Sequence, residues 1–258
     1  MKEEGGFAGW QERSGILLGQ AGLDKLRSSF VGVIGLGGVG AYAAEMLVRA
    51  GVGRLLLLDS DRVSVSNKNR QLLALDSTVG LRKCDVMATR ARDINPSVEL
   101  ILVDDYILGE ICDSSQSAQE GKTVAQILDP YKASLDYVVD AIDTLSPKIA
   151  LIKYCMDNAL PLVSSMGSGA KMDATAVRVT DISRSYNCPL AYILRKKLRK
   201  LGVSKGFKAV FSEELPDRNA IVQAEERNKK SQVGTISYLP AVFGCVCAQT
   251  CIKGILDY

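Results

Sequence analysis

The chain has 258 residues, 47% hydrophobic and 24% charged, with a formal charge of +3; this ordinary globular composition excludes extended disorder and a fibrous architecture. It contains no histidine, which removes imidazole bases and the Ser/His and Cys/His nucleophile pairs. Seven cysteines at irregular spacing, with no C-x-x-C and no signal-peptide pattern before them, argue against a disulfide framework or a zinc site and for a reducing, cytoplasmic setting.

Residues 1–30 read as a helical lead-in, with apolar residues at helical spacing from Ser14 to Leu26. The strand Val31 to Ile34 follows and runs into the turn of VGVIGLGGVG. In that turn Gly35 supplies a conformation side chains forbid, Gly37 lets backbone amides approach a phosphate, and Gly40 allows the next helix to pack tightly on the strand. The helix Val39 to Ala50 then presents its unpaired N–H groups to an anion and stops at Gly51. A second strand, Arg54 to Leu58, ends in Asp59 and completes a βαβ unit.

A polar loop over 60–71 leads to a helix near Lys83 to Ile94 and a strand near Val98 to Val103. Cys112 to Gly121, rich in Ser and Gln, reads as a surface excursion. Next come a strand (Tyr137 to Ile142), a helix (Pro147 to Asn158) and a strand (Pro161 to Ser165) that enters the turn Gly167-Ser168-Gly169. The alternation predicts an α/β, Rossmann-like, mostly parallel sheet with helices on both faces. Beyond it, strands at Thr175 to Thr180 and Phe207 to Phe211 flank a helix near Leu190 to Leu201, and Glu213 to Val233 reads as a mobile loop. The run Ile236 to Leu256 is long and apolar enough for a membrane span, but Pro240, Gln249 and Lys253 interrupt it, which favours a buried or interface helix over peripheral membrane association. One domain is expected, divided into the lead-in 1–30, a nucleotide-binding core 31–169 and a strand/helix extension 170–258.

The candidate chemistry lies around the glycine turn. Asp59 stands where a strand-end acid accepts hydrogen bonds from a ribose hydroxyl, in a dinucleotide or in ATP. Arg70 and Lys83 are placed to stabilise charge on a leaving pyrophosphate, and Asp143, just past a strand end, to supply a carboxylate to Mg2+. Asn67 and Asn69 can bind ribose or phosphate oxygens, while Asp140 is open between a structural acid and a participant. A carboxylate attacking the α-phosphate is already ionised, so the missing imidazole is no obstacle. From Arg184 to Lys208 there are eight basic residues and no acid. The cluster Arg195, Lys196, Lys197, Arg199, Lys200 reads either as a solvated helix face or as a nucleic-acid contact.

The series GLGGVG, LLLLDSD, SNKNRQ, VGLRK and VVDAID resembles, in order and spacing, the adenylating domain of the superfamily that activates ubiquitin and the sulfur carriers of thiamine and molybdopterin biosynthesis. The resemblance covers roughly residues 23–169. It implies a ubiquitin-activating-enzyme-like adenylation fold and ATP-binding positions at Gly35, Gly37, Gly38, Gly40, Asp59, Asp61, Asn67, Asn69, Arg70, Gln71, Lys83 and Asp143. It also implies that Arg13 reaches the nucleotide of a neighbouring subunit in a homodimer. The later segments VTDISRSYNCPLAYILRKKLRKLGV, FKAVFSEELP and YLPAVFGCVCAQ resemble the branch that dehydrates threonylcarbamoyladenosine in tRNA. That branch implies ATP and Mg2+, a monovalent cation (K+ or Na+) as a further candidate, tRNA rather than DNA as partner, and a cysteine desulfurase or sulfur-acceptor system as a candidate partner. Cys188 departs from the pattern, which has an acid before Pro189. It is either an incidental thiol or a sulfur-handling nucleophile. Cys245, Cys247 and Cys251 read as packing residues. Two alternatives remain open: activation of the C-terminus of a ubiquitin-like sulfur carrier, and a non-catalytic nucleotide-binding scaffold.

Overall fold

A computed structural model of the protein describes residues 9–109, 121–226 and 229–258. Strand β1 (Phe30–Ile34) is buried along its whole length and β2 (Arg54–Leu58) along all but its first residue, as parallel strands covered on both faces must be. With β3 (Glu99–Val103), β4 (Tyr137–Asp140), β5 (Leu162–Ser165), β6 (Val177–Asp181) and β7 (Lys208–Ser212) they form one sheet of order β3-β2-β1-β4-β5-β7-β6. Every pairing is parallel except that of β6 with β7.

Strand residues alternate between two apolar layers, the period-2 consequence of the pleat. Val31 and Val33 face one layer, built with α2 (Gly40–Ala50), α3 (Lys83–Ile94) and α7 (Tyr238–Leu256); Phe30 and Ile34 face the other, built with α4 (Val124–Leu128), α5 (Leu145–Asp157) and α6 (Pro189–Lys200). The lead-in helix α1 (Glu12–Ser28) is interrupted at Gly19 and adds Leu26 to the first layer. By length and mean hydropathy of 1.6, α7 could cross a membrane. Here Leu239, Phe243, Cys247 and Cys251 are buried against the sheet, whereas Cys245, expected to pack, is exposed.

Residues 213–233, expected as a mobile loop, contain a short turn at Arg218–Ala220 and an antiparallel hairpin of β8 (Ile221–Glu226) and β9 (Lys229–Val233). A two-stranded ribbon satisfies its backbone by pairing and needs no continuous apolar face, so polarity alone does not mark a loop. Of the expected excursion at Cys112 to Gly121, all but Gly121 lies outside the described residues.

The end of β4 is fixed by a fully buried ion pair. Lys148 Nζ of α5 lies 2.8 Å from Asp140 Oδ2, both side chains being inaccessible. Ser164 Oγ donates to Asp140 Oδ2 at 2.6 Å, the Ile142 amide donates to Asp140 Oδ1 at 3.1 Å, and Lys148 also donates to the Ile142 carbonyl at 3.0 Å. Of the two readings of Asp140, the structural one therefore applies: it clamps the loop that carries Asp143. Removing one member leaves the other charge buried and unpaired. Asp140→Ala is expected to lower unfolding free energy by about 3–5 kcal/mol, measured by urea denaturation; an unchanged midpoint would show that the pair does not hold this loop.

Candidate nucleotide-binding site

The sheet order places β1 between β2 and β4, and successive crossovers leave β1 toward opposite sides. At such a switch point the loops at the carboxyl ends of the strands part and leave a crevice. Gly35 occupies it with φ +93°, its amide bonded to the Leu58 carbonyl at 2.8 Å. A Cβ at Gly35 would stand 2.9 Å from the Ala141 oxygen, and one at Gly40 only 1.7 Å from the Gly35 oxygen. Gly40 thus lets α2 begin directly against the turn, with the positive end of the helix toward the crevice. At Gly37 a Cβ would meet only Gln71 Nε2, at 3.9 Å, so the loop surface there is open.

The crevice widens into a cleft of about 830 Å³. Asp59, Arg70, Lys83 and Asp143, from four separate segments, all line it, as do Gly35, Gly37, Gly38, Asp61, Asn67 and Gln71. Asp59 is held by the amides of Leu36 (2.6 Å, to Oδ2) and Asp61 (2.8 Å, to Oδ1). Burial pushes its carboxyl above the ordinary range, against the opposing pull of Lys83 and these amides. Lys83, the first residue of α3, is buried with Nζ 2.7 Å from Asp61 Oδ2 and 3.6 Å from Asp59 Oδ1. Arg70 is half-buried; its guanidinium donates to the Ser66 carbonyl (3.1 Å) and Asn69 Oδ1 (2.9 Å), and its side chain lies across Gly38. Asn67 Oδ1 accepts from the Ser64 amide at 3.2 Å, closing the turn that brings Arg70 and Gln71 round.

Other expected site residues stand elsewhere. Asn69 does not line the cleft; its Nδ2 donates to the Thr235 carbonyl at 3.0 Å, tying the Arg70 segment to the end of the hairpin. Gly40 acts behind the surface, by packing. Arg13, on α1, is exposed and outside this chain's own cleft. Helix α6 begins in the cleft wall with Cys188, Pro189 and Leu190 and runs outward for 12 residues, about 18 Å. Lys196, Lys197, Arg199 and Lys200 are exposed near its far end. Arg195 differs from them: it is half-buried and donates to the Ser185 carbonyl at 2.7 Å, bracing the turn before the helix.

The sequence reading missed the far wall of the cleft: Ser165, Met166, Ala170, Lys171, and Ile221, Gln232 and Val233 from the hairpin. It missed Lys148 as well, although a lysine within the apolar run of PKIALIKYC is a visible oddity.

The residues present suit a nucleotide triphosphate. The glycine loop and the α2 N-terminus form an anion cradle, Arg70, Lys83, Asp59, Asp61 and Asp143 line the same cleft, and buried Gln71 Oε1 makes no hydrogen bond within the described protein. Asp143, exposed on the cleft wall, is of a type that can ligate Mg2+, which is bound through one or two carboxylates beside phosphate oxygens.

A glycine turn at the switch point of a parallel sheet, with Arg70 and Lys83 grouped beside it in one cleft, marks an α/β protein of the nucleotide-dependent adenylating class. The chain belongs to the ThiF family, which matches residues 12–258. It is 40% identical over 242 residues to the tRNA threonylcarbamoyladenosine dehydratase of Bacillus subtilis (strain 168), covering 91% of this chain and 89% of that one. To the Escherichia coli (strain K12) protein of the same name it is 36% identical over 268 residues, covering 96% and 94%. The crystal structure of the E. coli enzyme, TcdA, in complex with ATP matches with a TM-score of 0.83 at 35% identity over 97% of this chain and 96% of that one. Its complex with AMP matches at 0.82. The expected fold class, the adenylation fold with a strand/helix extension, is the one found.

Gly40→Ala should lower both the urea midpoint and ATP affinity, because its methyl has no space beside the Gly35 carbonyl. Calorimetric titration with ATP checks this, and wild-type binding and stability in that variant would contradict the packing.

Proposed function

We propose that the protein is an ATP-dependent tRNA threonylcarbamoyladenosine dehydratase, acting in the cytoplasm. The observation that carries the reading is the convergence of Asp59, Arg70, Lys83 and Asp143 on one cleft whose wall also starts the basic helix α6. Relatives of that name match nearly the whole chain, which favours tRNA over a ubiquitin-like sulfur carrier as the carboxylate donor.

In this reading Asp59 and Gln71 hold the nucleoside end of ATP, and the glycine loop with the N-terminus of α2 holds the phosphates. The carboxylate of the modified adenosine bonds to the α-phosphorus as the bond to pyrophosphate breaks. Arg70 and Lys83 stabilise charge gathering on that leaving group. Lys83 is held ready by Asp59 and Asp61, so little reorganisation is required. Mg2+, held by Asp143 and phosphate oxygens, would supply further charge neutralisation. The carbamoyl group of the same side chain then bonds to the activated carbon as the C–O bond to AMP breaks, its proton passing to water. Ring closure is intramolecular, so positioning replaces a dedicated nucleophile, and neither histidine nor a catalytic cysteine is required.

Lys196, Lys197, Arg199 and Lys200 carry tRNA phosphates, while Arg195 serves the fold. Arg13 works across a homodimer: it is exposed on α1 beside Ile16 and Leu17, two large apolar side chains more than 70% exposed that a second copy would cover.

Incubation with ATP, Mg2+ and threonylcarbamoyl-modified tRNA should release AMP and give a nucleoside lighter by one water; an unchanged nucleoside mass with ATP still bound would reject the substrate. Arg70→Ala and Lys83→Ala should each reduce turnover by about a hundredfold or more with the circular dichroism spectrum retained, and near-normal rates would reject their phosphate roles. Replacing Lys196, Lys197, Arg199 and Lys200 together by Gln should weaken tRNA binding and flatten its dependence on salt, leaving ATP affinity as it was; a salt slope equal to wild type would remove α6 from the tRNA surface.

A further inference from the structure

Three lysines are buried in the described protein: Lys83, Lys148 and Lys171. Two have carboxylates against them, Asp61 at 2.7 Å from Lys83 and Asp140 at 2.8 Å from Lys148. Lys171 is 4% exposed, lines the cleft, and makes no ion pair among the described residues. Its ammonium donates instead to two backbone carbonyls, Ser212 at 2.9 Å and Asn187 at 3.1 Å. An ammonium has three donors, so one remains for the cleft. Burial draws this ammonium below the usual lysine range, against the opposing pull of Cys188 and Glu214, neither of which pairs with it directly.

The surrounding backbone is bent to hold it there. Ala170, immediately before Lys171, and Asn187, whose carbonyl receives it, both adopt left-handed conformations, with φ 58° and 52°. Such strain in non-glycine residues persists where neighbours enforce it and gathers at functional sites. Ala170 is pinned on both sides, its amide donating to the Gly234 carbonyl and its own carbonyl accepting from the Asp217 amide, each at 2.8 Å. The Asn187 side chain donates to the Glu213 carbonyl at 2.7 Å. Glu214, the nearby acid, turns its carboxylate to the amides of Met172 and Asp173.

The Lys171 ammonium sits at the carboxyl end of β7, where Ser212 accepts from it, three strands from β1 in the sheet, or about 14 Å across. It stands on the wall of the same cleft, away from the glycine loop. We propose that Lys171 is a substrate-binding residue, the buried cation that receives the carboxylate to be adenylated and aims it at the nucleotide. The proposal rests on the carboxylate-adenylating reading given above and adds the group that selects the substrate: the donor that Ser212 and Asn187 leave over goes to the carboxylate itself.

The test compares two tRNAs, one carrying threonylcarbamoyladenosine and one in which that carboxylate is converted to a carboxamide, binding to protein loaded with a non-hydrolysable ATP analogue. Wild type should prefer the carboxylate by about tenfold or more, the worth of a charge-assisted hydrogen bond. Lys171→Met should bind both tRNAs alike, with unchanged affinity for the ATP analogue, and Lys171→Arg should recover part of the preference. In wild type, acylation of Lys171 by an amine-reactive ester, read by peptide mass spectrometry, should be slowed by the carboxylate tRNA and not by the carboxamide. This second measurement holds even if the variants fold poorly. Full discrimination in Lys171→Met, or equal protection by the two tRNAs, would overturn the role of Lys171 while AMP release by wild type upholds the reaction. Wild-type protein that neither discriminates nor releases AMP would overturn the substrate reading and this inference with it.

Discussion

Three stretches of backbone meet at the carboxyl ends of β1 and β4 with no room for a side chain between them. The Gly35 carbonyl lies where a Cβ on Gly40 would be, and the Ala141 carbonyl crowds the Cβ position of Gly35. This contact fixes where α2 starts, and hence where its N-terminal end points. It also joins the nucleotide loop to the loop bearing Asp143, which the buried Asp140–Lys148 pair secures from behind. The anion cradle and its carboxylate are thus parts of one rigid junction rather than two loops free to drift. Preorganisation of this kind is what electrostatic catalysis requires.

The charges of the cleft partly satisfy one another. Lys83 sits between Asp59 and Asp61, and Arg70 is held by Ser66 and Asn69. Such pairing keeps the cations in place at little cost. Asp59 itself is oriented by two backbone amides, so its position follows from the fold and not from a rotamer choice. The chemistry suits a protein with no histidine: the attacking group arrives ionised, and the protein has to place it.

The strands β1 and β2 were readable because burial on both faces leaves a continuous apolar run, and the glycine spacing and Asp59 followed from their relation to those strands; Arg70 and Lys83 were found in the motif segments that come after, and Asp143 by its place past the end of β4. What escaped depended on partners distant in the chain. Nothing near Lys171 indicates that it is buried, since its acceptors come from Asn187 and Ser212. Arg195 looks like its basic neighbours until Ser185 is found against its guanidinium. Asn69 belongs to the same motif as Arg70, yet the Thr235 carbonyl takes its amide away from the cleft. The hairpin of β8 and β9 was hidden because its strands are polar and acquire order only by pairing.

The central claim is that the substrate's own carboxylate is adenylated in this cleft, and an isotope settles it most directly. Threonylcarbamoyl-tRNA carrying oxygen-18 in that carboxylate is turned over with ATP in ordinary water. If the carboxylate attacks the α-phosphorus, one labelled oxygen must leave with AMP, and mass spectrometry will find AMP heavier by one oxygen-18. Unlabelled AMP, or label in inorganic phosphate alongside ADP, would contradict the account.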